Sequence, residues 1–131
     1  MNIMACYDGS GVSKGALTLA KEHGKAFDGK VYLVRSMEGG LDVPKREFDH
    51  AERELSDLAE SFFKEEGVQC ESHLLVRGMS PGEDIVRFAS EHAVDEIIIG
   101  IQKRSKVGKL IFGSTAQFVI LEAPCPVIAI K

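Results

Sequence analysis

The residues best suited to chemistry lie between Gly100 and Thr115, in the stretch GIQKRSKVGKLIFGST. A wholly apolar run, Ile97-Ile98-Ile99, stops at Gly100, and a polar loop follows with Lys103, Arg104, Lys106 and Lys109. The loop closes at Gly113-Ser114-Thr115, after which Ala116 to Leu121 continues with helix-compatible residues. A buried strand, a glycine-bounded loop and a helix start together form an anion site, because free backbone N–H groups and the positive helix end meet where the strand stops. The loop holds four cations and no acid, although the whole chain carries a net charge of −4. Local charge opposing global charge points to a phosphate-bearing ligand rather than to general stickiness.

Asp8 is the second candidate. It follows a short apolar strand and precedes Gly9, Ser10 and Gly11. If the first and fourth strands are neighbours, Asp8 and Gly100 face each other across one crevice. Each candidate also has a plainer reading. Asp8 could close its own turn, Gly100 and Gly113 could serve only turns and close packing, and Ser114 could cap the helix. The basic loop could be a solvated surface. Gly108-Lys109 fails the Walker A pattern, since Leu110 follows the lysine and Gly100 is too distant. His23, His50, His73 and His92 are scattered without metal-ligand spacing and read as surface positions. Cys6 and Cys70 read as strand residues, and Cys125 sits between two prolines with no recognisable nucleophile arrangement. Hydrolysis would require a metal and a water-positioning group. The loop has no carboxylate for either task, so binding is preferred to catalysis.

Composition bounds the scaffold. The 131 residues are 44% hydrophobic and 27% charged, which fits one globular domain spanning 1–131. The acidic balance argues against nucleic acid as the main partner. Three cysteines without a CxxC pair fit a reducing compartment. Asp8 interrupts the first apolar stretch, so no signal peptide is expected, and no run approaches a membrane span of about 20 residues. The expected location is the cytoplasm, with no membrane partner.

Along the chain, strand and helix patterns alternate. Strands are expected over residues 2–7, 31–34, 68–76, 96–99 and 127–130, with the third nearest a sheet edge. Helices are expected over 13–27, over 45–66 with an apolar stripe from Leu55 to Phe63, from Ser80 as N-cap with Pro81 at N1, and after Gly113. Residues 36–44 read as a loop. Five strands separated by such helices predict right-handed crossovers: an α/β fold, doubly wound, with a five-stranded parallel sheet covered by helices on both faces.

Over its full length the chain resembles the universal stress protein family. The matching stretches are Asp8-Gly9-Ser10 after a strand, Gly78-Met79-Ser80-Pro81, Val94 to Gly100, Gly113-Ser114, and the ending Ala-Pro-Cys-Pro-Val-Ile-Ala-Ile. The resemblance implies strand order 3-2-1-4-5, a common tendency to dimerise, and binding of ATP or a related adenine nucleotide with an optional magnesium ion. The family's phosphate pattern is glycine, two residues, glycine, nine residues, glycine, then serine or threonine. It falls on Gly100, Lys103, Gly113 and Ser114, with Lys103 standing where the second glycine is expected. A lysine side chain crowds the close approach that glycine allows, yet its ammonium can meet phosphate as a point charge. Thr115 is expected to offer a backbone N–H to phosphate. Asp8 matches the aspartate that contacts adenosine, and Ser36 falls where many members place a valine beside adenine.

The expected function is a non-enzymatic nucleotide switch in a stress response, acting with an unknown protein partner. The alternatives are a slow ATPase and a nucleotide-free dimeric interaction module. The last strand, Val127 to Ile130, is apolar on both parities and would lie at a sheet edge, so a homodimer through it is expected.

Overall fold

Ile97, Ile98 and Ile99 show why one strand lies inside the sheet, covered on both faces: all three are buried, with Ile97 and Ile98 wholly so. The computed structural model describes residues 1–102, 104–106, 109–111 and 113–131, with 104–106 and 109–111 described by backbone alone. The sheet strands are β1 (Asn2–Cys6), β2 (Lys30–Ser36), β3 (Gln69–Leu75), β4 (Glu96–Gly100) and, after two short strands, β7 (Val127–Ile130). Their order is β3-β2-β1-β4-β7 and every pairing is parallel, which bears out the expected fold and the order 3-2-1-4-5. Helices α1 (Gly11–Ala26), α2 (Lys45–Leu58), α3 (Pro81–Glu91) and α4 (Ser114–Glu122) supply the crossovers.

The period of two along the strands divides the core. Ile3, Ala5, Val31, Leu33 and Ile98 pack with Leu17, Leu55 and Phe63 on the face covered by α1 and α2. Met4, Cys6, Tyr32, Val34, Ile97 and Ile99 pack with Ile85, Phe88 and Val119 under α3 and α4.

Several expectations change in detail. β2 runs on to Ser36, which sequence reading assigned to a loop. Arg35 and Ser36 pair with Leu74 and Leu75 of β3, so the ladder continues two residues beyond the last apolar one. The stretch 45–66 is helical throughout, but α2 passes into a π turn at Ala59–Phe63 and a 3-10 turn at Lys64–Glu66, ending at Gly67 with φ +82°. Part of the expected polar loop forms an antiparallel pair, β5 (Arg104–Lys106) with β6 (Lys109–Ile111).

Only one histidine behaves as a plain surface residue. His50 is exposed, whereas His23 pairs through Nδ1 with the largely buried Glu96. His73 and His92 join Tyr32 and Phe88 in an aromatic group, with the Phe88 and His92 rings stacked at 3.8 Å between centroids. The sequence carried a partial sign of this: His92 lies four residues after Phe88 on the same helical face.

Gly100 is fixed by packing. A Cβ there would lie 2.8 Å from Val12 Cγ1 and 2.9 Å from the Val12 carbonyl carbon and oxygen. Backbone cannot step aside as a flexible side chain can, so glycine is what lets the first turn of α1 sit against the end of β4. Gly100→Ala is expected to lower stability by about 1–3 kcal/mol, the usual cost of overpacking. Urea unfolding of the purified variant measures it, and an unchanged midpoint would remove this packing role.

Candidate functional site

The carboxyl ends of β1, β2 and β4 and the amino ends of α1, α3 and α4 converge on one crevice of about 540 Å³. That is within the range of small-molecule sites, roughly 300–1,000 Å³. β1 contributes Cys6, with Tyr7 and Asp8 beyond it; β2 contributes Val34 and Ser36; β4 contributes Ile99 and Gly100. Pro81 and Ile85 come from α3, and Ser114, Thr115 and Ala116 follow Gly113 into α4. Six of the seven expected site residues therefore line one space: Asp8, Ser36, Gly100, Gly113, Ser114 and Thr115. The seventh, Lys103, lies outside the described residues.

The helix amino ends differ in how they are satisfied. At α1, Ser10 is the N-cap and its Oγ accepts from the Ser13 N–H at 3.3 Å. Asp8 Oδ1 accepts from the Ser10 N–H at 2.9 Å, so the plain reading of Asp8 as a turn-closing residue holds alongside its place in the crevice. At α3, Ser80 is the N-cap by backbone but makes no side-chain cap bond, and Glu83 and Asp84 put acid in the first turn. At α4 there is neither a side-chain cap nor an acid in the first turn. The N-cap there is Gly113, with φ −56° and ψ 156°, which displaces Ser114 from the expected capping position to the first helical residue. The first helical hydrogen bond runs from Gln117 N–H to Gly113 C=O at 3.1 Å. The N–H groups of Ser114, Thr115 and Ala116 thus have no helical acceptor, and the helix dipole adds positive potential where they point.

Gly113 contrasts with Gly100. Its φ suits any residue, and a Cβ there would meet nothing within 4 Å among the described residues. The described fold does not require glycine at 113. Among the described residues, a bare backbone beside three N–H groups without helical acceptors leaves room for a bulky anion to approach closely.

Electrostatics keep Asp8 charged. Burial pushes its carboxyl up, but the hydrogen bond from the Ser10 N–H, the neighbouring Ser10 and Ser13 hydroxyls and the Arg35 charge outweigh this and hold it below the ordinary value. A carboxyl with a depressed folded pKa adds stability that is full above its unfolded pKa of about 4 and is lost as pH falls through the folded value. The melting-temperature gap between wild type and Asp8→Asn is therefore expected to be larger at pH 7 than at pH 3. A gap that does not change with pH would refute the assignment. Burial, with the charge of Asp8 nearby, pushes the Cys6 thiol up to about 12, so it stays protonated and unreactive.

At the β2 end, the Ser36 hydroxyl donates to Asp84 Oδ2 at 2.9 Å. Asp84 is completely buried and accepts from Arg77 Nε at 2.6 Å through its other oxygen. Arg77 also donates to Glu91 Oε1 at 2.8 Å. Sequence reading missed Asp84 and Arg77. The available signal was an acid on the same helical face as Ile85 and Phe88, where an uncompensated charge could not stay.

Comparison with known proteins agrees with this geometry. The universal stress protein family model matches residues 1–131. The chain is 33% identical to a Thermus aquaticus protein described as a universal stress protein in the QAH/OAS sulfhydrylase 3′ region, covering 98% of this chain and 97% of that one. A universal stress protein structure from Archaeoglobus fulgidus superposes with a TM-score of 0.87 at 42% identity, covering 100% of this chain and 98% of the other. An Archaeoglobus fulgidus universal stress protein in complex with dAMP superposes with a TM-score of 0.84 at 37% identity, again covering 100% and 98%.

Proposed function

The chain belongs to the universal stress protein family, and on that premise we propose that it binds ATP or a related adenine nucleotide in the crevice above β1 and β4, as a non-enzymatic switch. The carrying observation is the bare amino end of α4: three N–H groups without helical acceptors beside Gly113, whose missing side chain no described neighbour requires. That arrangement suits phosphate. The charged carboxylate of Asp8, one strand away, suits ribose hydroxyls. The apolar Val34, Pro81 and Ile85 suit the flat base. The dAMP complex of the Archaeoglobus relative supports an adenine ligand. Gly100, Lys103, Gly113, Ser114 and Thr115 are the assigned phosphate residues, with Lys103 assigned from its place in the sequence. A magnesium ion would accompany a triphosphate.

Asp8 is the one acid lining the crevice among the described residues, so no second carboxylate favours hydrolysis there. We place the protein in the cytoplasm as a homodimer through β7, active in a stress response; among the described residues no helix is long and apolar enough to cross a membrane. Native mass spectrometry of protein purified without added nucleotide, followed by titration calorimetry with ATP and AMP, tests the binding. A co-purifying adenine nucleotide or a saturable one-to-one isotherm is expected. Featureless titrations with both ligands would overturn the proposal.

A further inference from the structure

We propose that Ser36 is a specificity-determining residue that selects a purine bearing an amino group at C6, because Asp84 and Arg77 hold its hydroxyl proton away from the crevice. The inference rests on the nucleotide reading above and concerns the base end of the same site.

The layout follows from the sheet. Phosphate belongs at the α4 amino end beside β4, and β1 with Asp8 lies next to it. β2 is two strand steps from β4, about 10 Å away, which leaves the Val34, Ser36 and Ile85 end for the base. Ser36 brings a hydroxyl to otherwise apolar walls there.

A hydroxyl has one proton. In Ser36 it is committed to Asp84 Oδ2 at 2.9 Å. The acceptor cannot return the favour: Asp84 is 0% exposed and ion-paired with the Arg77 guanidinium at 2.6 Å, so it is an acceptor-only carboxylate. Ser36 therefore shows the crevice only lone pairs. A 6-amino group donates into them, an unsubstituted purine leaves them unmatched, and a 6-oxo group sets lone pair against lone pair.

The test is titration calorimetry of AMP, purine riboside 5′-monophosphate and IMP against wild type, Ser36→Ala and Asp84→Asn, each checked for folding by circular dichroism. Wild type is expected to favour AMP over purine riboside monophosphate by about tenfold, the worth of one hydrogen bond, and to bind IMP more weakly still. Ser36→Ala should bring the first ratio to within about twofold. Asp84→Asn gives a readout that a purely structural role would not move. Arg77 needs an acceptor, so the amide oxygen turns to it and the amide NH₂ faces Ser36. The serine proton is then free to point into the crevice, and the AMP-to-IMP ratio should fall about tenfold. Equal binding of AMP and purine riboside monophosphate by wild type, or a ratio unchanged in both variants, would overturn the inference alone. Failure of wild type to bind any of the three would overturn the nucleotide reading and this inference with it.

Discussion

Gly113→Val is expected to abolish nucleotide binding while the protein stays folded. The backbone at 113 is in an ordinary extended conformation, and the space a Cβ would enter is free of described atoms within 4 Å. The fold can therefore take the substitution at the cost of a poorer N-cap, about 0.5–1 kcal/mol. The ligand cannot. A β-branched side chain would occupy the volume beside the Ser114, Thr115 and Ala116 N–H groups and hold phosphate beyond hydrogen-bond reach. Losing two or three charge-assisted bonds at about 1.5–3 kcal/mol each removes a hundredfold or more in affinity. Calorimetry with ATP, beside a thermal melt of the same sample, measures both halves. Equal ATP affinity in wild type and Gly113→Val would remove the phosphate site from the α4 amino end. Gly113→Ala should fall between them, since its methyl group intrudes less.

The pair Gly100 and Gly113 shows which features were legible in the sequence. Both glycines flank the basic stretch in the sequence, and nothing there separates a packing glycine from a ligand-facing one. The structure separates them by their surroundings: Val12 backbone at 2.9 Å for one, no described atom within 4 Å for the other. The strands were legible because their burial is written in residue type, as in Ile97-Ile98-Ile99 and Ile3-Met4-Ala5. β2 was read short because Arg35 and Ser36 belong to the ladder by backbone pairing, which polarity conceals. The Ser36–Asp84–Arg77 chain was invisible for a different reason. It joins β2, the loop after β3 and α3, with partners up to 48 positions apart, and only the packing of α3 over β2 brings them together. The plainer reading of Ser114 as a cap fails although serine favours that position, because Gly113 already holds the non-helical conformation the position needs.

The second large effect concerns assembly. β7 pairs with β4 along one side, and no strand pairs with its outer side among the described residues. Its residues are apolar, Ala129 is exposed, and the neighbouring α4 exposes Phe118, Ile120 and Leu121, the last at 71%. An apolar open edge beside an apolar helix face is what a second copy would cover, and a twofold axis would make the contact antiparallel and self-complementary. The hydrogen bonds show where to break it. The Pro126 carbonyl accepts from Ile97 and the Ile130 carbonyl accepts from Ile101, both toward the β4 side. By the period of two, Ile128 also faces β4, whereas Val127 and Ala129 direct their N–H and C=O groups outward. Proline at 128 would damage the protein's own sheet. Ala129→Pro removes an outward donor and leaves the β4 ladder intact, and Ala129→Lys adds a charge to the seam. Light scattering on wild type should give the mass of two 14.3 kDa chains, with or without nucleotide. Both Ala129 variants should move it toward one chain while their circular dichroism stays that of the folded protein. Wild type at single-chain mass at micromolar concentration would rule out the dimer, and a dimer indifferent to Ala129→Pro would move its interface away from β7.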